Sequence, residues 1–126
     1  MFIIFSILLF GVFSQTDCFD LNNYSFFETE KILKINGEGR MCDCSNFPII
    51  PPNYNISKIE EVQFGENITH IGNGCFANFE NLKTITFSNS IEIIEKGAFS
   101  NTGIKTLVLP TNIQTIEERA FENCKQ

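Results

Sequence analysis

The only histidine of the chain precedes a cysteine by five residues in the stretch HIGNGCF, from His70 to Phe76. An imidazole that titrates near neutral pH can take the proton of a thiol, and the resulting thiolate attacks carbonyl carbon; Cys75 and His70 would then form a thiol-dependent hydrolase. A second option is a metal site drawn from Cys18, Cys42, Cys44 and His70. Structural zinc sites use paired C-x2-4-C elements, and the chain has none, so this spacing argues against a metal. A third option is cross-linking. The five cysteines are Cys18, Cys42, Cys44, Cys75 and Cys124, and pairing of Cys18 with Cys42 or with Cys44 would tie the start of the mature chain to its amino-terminal cap. A direct Cys42–Cys44 bridge is geometrically awkward, and spacing does not choose between the other two.

The elements that would have to position Cys75 and His70 carry an internal control. Cut before each apolar run, the second half reads IEEVQFGENITHIGNGCFANFEN (59–81), LKTITFSNSIEIIEKGAFSNTG (82–103) and IKTLVLPTNIQTIEERAFENCKQ (104–126). Stacked, these give apolar columns at Ile59, Leu82, Ile104; Val62, Ile85, Leu107; Phe64, Phe87, Leu109; Ile68, Ile91, Ile113; Ile71, Ile94, Ile116; and Phe76, Phe99, Phe121. The offsets are 23 and then 22 residues, the lost residue falling between Asn101 and Ile104. A period in the low twenties is the signature of a stacked repeat solenoid. Cys75 falls in the column of Ala98 and Ala120, and His70 in that of Ile93 and Thr115. A position that takes alanine twice is that of a small core filler, and His70 is a variable surface residue. The reading is therefore no catalysis, no metal and no cofactor.

Within a repeat, LKTITF alternates inward Ile85 and Phe87 with outward Thr84, Thr86 and Ser88, a strand period of two. IEII is a second short extended piece. EKGAFSN predicts a helical or 3-10 turn that drops Ala98 and Phe99 into the core. The expected fold is an α/β solenoid, mostly β, of three repeats with short parallel strands. No repeat buries its apolar face alone, so stability comes from stacking on neighbours.

The unit I-x-x-I-x-x-x-A-F, present as IEIIEKGAF and IQTIEERAF, resembles the BspA-type leucine-rich repeat of bacterial and protist surface proteins. The segment ILKINGEGRM, leading into a proline-containing connection, resembles that family's lead-in to its first repeat. The resemblance spans about residues 31–126. It implies a secreted or cell-surface solenoid for adhesion or protein contact, with an unknown protein ligand, such as a host or cell-surface protein, as partner and no catalytic residues to carry over.

Three domains are expected: 1–15 a signal peptide, 16–58 an amino-terminal segment and cap, and 59–126 the repeats. MFIIFSILLFGVFSQ is apolar at nearly every position from Phe2 to Phe13, a run too short for the ~20 residues of a membrane-spanning helix, which favours a secretory leader. Its lack of Lys and Arg leaves a short membrane anchor as the other reading. Asn23, Asn55 and Asn67 each begin an N-x-[S/T] triplet, the acceptor pattern for N-glycosylation in exported proteins. In the cap, Asn36-Gly37 after Ile32, Leu33 and Ile35 predicts a hairpin or edge strand covering the first repeat. The three prolines of NFPIIPPNYNIS predict an exposed connection.

A net charge of −6 with scattered basic residues excludes nucleic acid and anionic membrane surfaces as partners. Binding is expected on the outward, concave-face strand positions: Glu61, Thr84 and Thr106 in one row, and Gln63, Thr86 and Val108 in the next. Ile104, Leu107, Leu109, Ile113, Ile116 and Phe121 are expected at an uncapped end, where self-association, or a short self-assembling fragment of a longer repeat protein, is the further reading.

Overall fold

A computed structural model describes residues 18–19, 24–27, 29–44 and 55–124. The expected signal peptide, Asn23 and nearly all of the proline-containing connection lie outside the described residues. The strands form two sheets, one of which reaches the third repeat. Strands β1 (Cys18–Phe19), β4 (Gly39–Met41), β6 (Ile68–Ile71), β8 (Ile93–Ile94) and β9 (Thr115–Ile116) form one, in that order. Strands β2 (Tyr24–Phe27), β3 (Ile32–Ile35), β5 (Glu61–Phe64) and β7 (Thr84–Thr86) form the other. The coils from β3 to β8 each give one strand to each sheet and pair in parallel, Val62 with Ile85 and Ile71 with Ile94, while the third repeat gives β9 to the first sheet alone.

The chain turns because of two left-handed positions per repeat. Gly74, Gly97 and Arg119 share one column, with φ of 64°, 63° and 61°, and Asn78, Asn101 and Asn123 share another, with φ of 67°, 57° and 55°. Glycine and asparagine are the residues that visit this region at least cost. Each left-handed residue ends the turn before it, so the expected helical turn is instead a pair of tight turns. In the second repeat these are closed by Ala98 N–H to Glu95 O and Ser100 N–H to Gly97 O, at 3.2 and 3.1 Å. Among the described residues the one 3-10 helix is elsewhere, at Ile56–Lys58, capped by the Asn55 side chain.

Side chains repeat the ladder. Asn101 Nδ2 donates to Asn78 Oδ1 at 3.1 Å, and Asn123 Nδ2 to Asn101 Oδ1 at 3.2 Å. Glu95 accepts from the Asn73 N–H, and Glu117 from the Lys96 N–H, so this glutamate column bonds each turn to the one before it. Inside, Phe76, Phe99 and Phe121 stack in file, with ring centroids 5.2 and 5.4 Å apart. Phe64 stacks on Phe87 in a second file and meets Phe76 edge-on at 5.4 Å. Both arrangements suit the quadrupole of the rings.

The amino-terminal segment departs from the expected hairpin. β3 and β4 lie in different sheets, so the chain around Asn36-Gly37 is a corner between sheets. Leu33 and Ile35 pair beside Val62 and Phe64, and with Met41 they are buried, so residues 31–44 form one more coil of the solenoid. The hairpin is instead formed by β2 and β3, antiparallel, with Tyr24 opposite Ile35. The apolar pattern of β3 demanded a parallel neighbour on one side, and that outweighed the turn preference of Asn-Gly.

Order declines toward the other end. In the third repeat, residues 104–109 make no backbone hydrogen bond among the described residues, although β9 pairs normally with β8. Two features of the sequence account for this. The second repeat is one residue short just before Ile104, and Pro110 occupies the column of Gly65, whose N–H bonds Ile35 O at 2.9 Å. Proline has no N–H to give. Ile104 is buried and Ile113 and Phe121 partly so, while Leu107, Leu109, Ile116 and above all Val108, 82% exposed, face solvent.

Candidate functional site

Cys75 and His70 do not assemble a catalytic pair. The Cys75 sulfur is bonded to Cys44, with Cα atoms 4.7 Å apart, so the oxidised chain holds no thiol there. The column of Cys75 marks a core filler; the residue is buried as expected but also joins the first repeat to the coil before it. The bond is possible because Cys44 lies over the turn that carries Cys75: the Cys44 N–H donates to Asn73 O at 3.0 Å. Gly72 is part of the same arrangement. A Cβ there would lie 2.3 Å from Cys42 O and 2.8 Å from the Cys75 sulfur. The signal in the sequence was that Gly72 replaces the glutamate of its column, Glu95 and Glu117.

With Cys44 paired to Cys75, a Cys18–Cys44 bond is absent, and Cys42 is itself disulfide-bonded. Cys124 is the free cysteine among the described residues, its Sγ 3.3 Å from Thr102 Oγ1. His70 is half-buried on β6, with Nδ1 2.8 Å from the Thr69 hydroxyl. Among the described residues no group of three His, Cys, Asp or Glu side chains is placed to hold a metal.

The outward rows are partly assembled. Glu61 and Gln63 on β5 stand beside Thr84 and Thr86 on β7. Glu61 Oε1 accepts from Gln63 Nε2 at 2.8 Å and from Thr86 Oγ1 at 3.2 Å, which fixes a small polar network on the sheet surface. Thr106 and Val108 are exposed but lie on the unpaired segment, outside the ladder. On the other flank the rows continue into β3, where Ile32 pairs with Glu61 and Lys34 with Gln63. Sequence alignment missed Ile32 and Lys34 because their coil is offset from the first repeat by 29 residues rather than 22 or 23.

Charge is organised at the start of these strands. Glu60 lies between Lys31 at 2.6 Å and Lys83 at 2.9 Å. The hydrogen bonds from the two ammonium groups, Lys31 first, pull its carboxyl pKa down to about 2. On the other sheet Arg40 Nε donates to the buried Glu95 at 2.8 Å, and that hydrogen bond holds the guanidinium above its usual value. This pair joins the amino-terminal coil to the second repeat across the first.

Paired parallel coils, inward apolar columns and an open strand face define a leucine-rich-repeat solenoid, a class suited to protein interaction. The BspA type leucine rich repeat region matches residues 12–126 in six copies, and the chain belongs to that family. The match extends over the amino-terminal coils. No curated protein matches the chain. Among solved structures it is similar to a leucine-rich repeat protein from Eubacterium ventriosum ATCC 27560, at 28% identity and a TM-score of 0.60. The similarity covers 66% of this chain and 22% of that one, so the chain spans about a fifth of the length of that relative.

Proposed function

We propose that this chain is a secreted or cell-surface interaction module that binds a protein partner, in adhesion, through the outward face of β3, β5 and β7, and that it performs no catalysis. The observation that carries this reading is the fixed polar network of Glu61, Gln63 and Thr86 on a rigid parallel sheet, flanked by Thr84, Ile32 and Lys34. A surface whose side chains hold one another loses little entropy when a partner settles on it. Export is supported by the apolar leader, by the Cys44–Cys75 disulfide, which persists in oxidising compartments, and by the exposure of Asn55 and Asn67.

The test uses the fluorescent mature chain on intact cells, read by flow cytometry. Gln63→Arg with Thr86→Arg should lower binding at least tenfold, while Glu122→Arg on the opposite turn should leave it unchanged. Equal binding by both variants would sink the assignment to this face. For export, expression in a secretory eukaryotic host should give a ladder of mobilities that collapses on endoglycosidase treatment, and a single unshifted band would count against the glycan sites.

A further inference from the structure

We infer that the gap in the four-stranded sheet beside β7 is a docking cleft for an extended, acidic peptide segment of the partner. This rests on the interaction-module reading and gives that partner a chemistry. β7 is the edge of its sheet because residues 104–109 fail to pair with it. Where these two segments part, a cleft of about 570 Å³ opens, lined by Glu80, Asn81, Lys83, Thr84, Lys105 and Thr106, with Gly103 at its base. This size lies in the ~300–1,000 Å³ range of ligand clefts. Gly103 keeps the cleft floor tight against the preceding repeat, since a Cβ there would lie 2.6 Å from Glu80 O.

Three properties select the occupant. An unpaired strand edge offers backbone donors and acceptors, and the segment that satisfies them is an added strand. Residues 104–109 pass this edge without a backbone bond to it, so the place for the added strand is the cleft that Lys105 and Thr106 line opposite Lys83 and Thr84. Lys105 is exposed and makes no ion pair among the described residues, whereas Lys83 is held by Glu60 at 2.9 Å. Glu60 offsets Lys83, and Glu80 is the carboxylate lining the cleft itself, so Lys105 is the cation there that no salt bridge among the described residues engages. A carboxylate on the incoming strand would pair with Lys105, the cation without a partner among the described residues. The β-branched and hydroxyl side chains of Thr84 and Thr106 suit β-branched neighbours on that strand.

The probes are fluorescein-labelled hexapeptides read by anisotropy: Thr-Val-Glu-Val-Thr-Val, its Glu→Lys counterpart, and a version with Pro in place of the central Val. The glutamate peptide should bind at least tenfold more tightly than the lysine peptide, and the proline peptide should lose binding. Lys105→Glu, an exposed change, should invert the charge preference. Equal affinity for both charges, no measurable binding at millimolar peptide, or an unchanged order in Lys105→Glu would each overturn the inference. Concentration-dependent sedimentation of the chain alone, abolished by Lys105→Glu, would instead assign the cleft to a second copy and overturn it. Peptide binding that survives Gln63→Arg/Thr86→Arg while cell binding is lost separates the cleft from the sheet face. Loss of cell binding in that variant with no peptide binding at all leaves the face standing without the cleft.

Discussion

At the scale of single residues, the site that first suggested chemistry is a covalent joint. Ala98 and Ala120 show that a methyl group fits the position of Cys75, so Cys44→Ala with Cys75→Ala removes the cross-link and little packing. Closing a loop over a sequence separation of 31 residues contributes about 3 to 4 kcal/mol on the chain-entropy estimate. The double variant should therefore lose that much in urea unfolding, and with reductant present, which also opens the bond at Cys42 in both proteins, wild type and variant should share one midpoint. Gly72→Ala tests the space beside the bond. Its Cβ would strike the Cys42 backbone, and overpacking of this kind costs about 1 to 3 kcal/mol. Denaturant unfolding of the reduced protein checks whether that cost exceeds the cost of Gly74→Ala, where nothing lies within 4 Å and only the positive φ opposes the change. The column alignment showed that Cys75 is a core position. It could not show the bond, because Cys44 belongs to a coil whose length differs from that of the repeats.

At the scale of elements, the sequence made the repeats legible and hid how the coils join. Val62 and Ile85 follow a strand period and the structure pairs them in parallel strands, whereas Leu107 of the same column stays outside the ladder. The segment from Lys31 to Cys44 escaped because Asn36-Gly37 speaks for a local hairpin, whereas burial of Leu33, Ile35 and Met41 on the stack decides the fold. The turns escaped for a different reason: left-handed φ at Gly97 and Asn101 interrupts what their composition presents as a helical turn. One electrostatic joint between coils can be measured directly. Glu60 bridges Lys31 and Lys83, so its carboxylate form is favoured by the fold. A carboxyl whose pKa is depressed adds stability above its unfolded value of 4.5, and that stability is lost as pH falls toward 2. A carbon-detected NMR titration should find Glu60 with a midpoint near 2, and Lys31→Met should move it upward. A midpoint near 4.5 in the wild type would dismiss the joint. Glu60 and both lysines reach solvent, so the effect on folding is small and shrinks with salt.

At the scale of the whole molecule, stability in a solenoid is a sum over coils and the contacts between neighbours, so it need not be uniform along the stack. The coils from Leu33 to Phe99 have neighbours on both sides and bury nearly all of their inward columns. The third repeat is held through β9, the Asn101–Asn123 bond and the Phe99–Phe121 stack, while its 104–109 segment has no ladder among the described residues. Local opening should follow this gradient, since exchange of an amide requires the breaking of its hydrogen bond. Amides of Phe76 and Phe99, bonded to Ala98 O and Ala120 O at 2.8 Å, should exchange slowest, with protection close to that of global unfolding. Those of Lys105, Thr106, Leu107 and Val108 should exchange within the dead time of a manual experiment. Slow exchange at these four in the isolated chain would mean that the fifth strand of the sheet is already paired, and the cleft beside β7 would then be closed. Added glutamate hexapeptide provides the converse reading: protection should rise at the β7 edge and leave Phe76 and Phe99 unchanged, because the new bonds form on the edge and not within the stack.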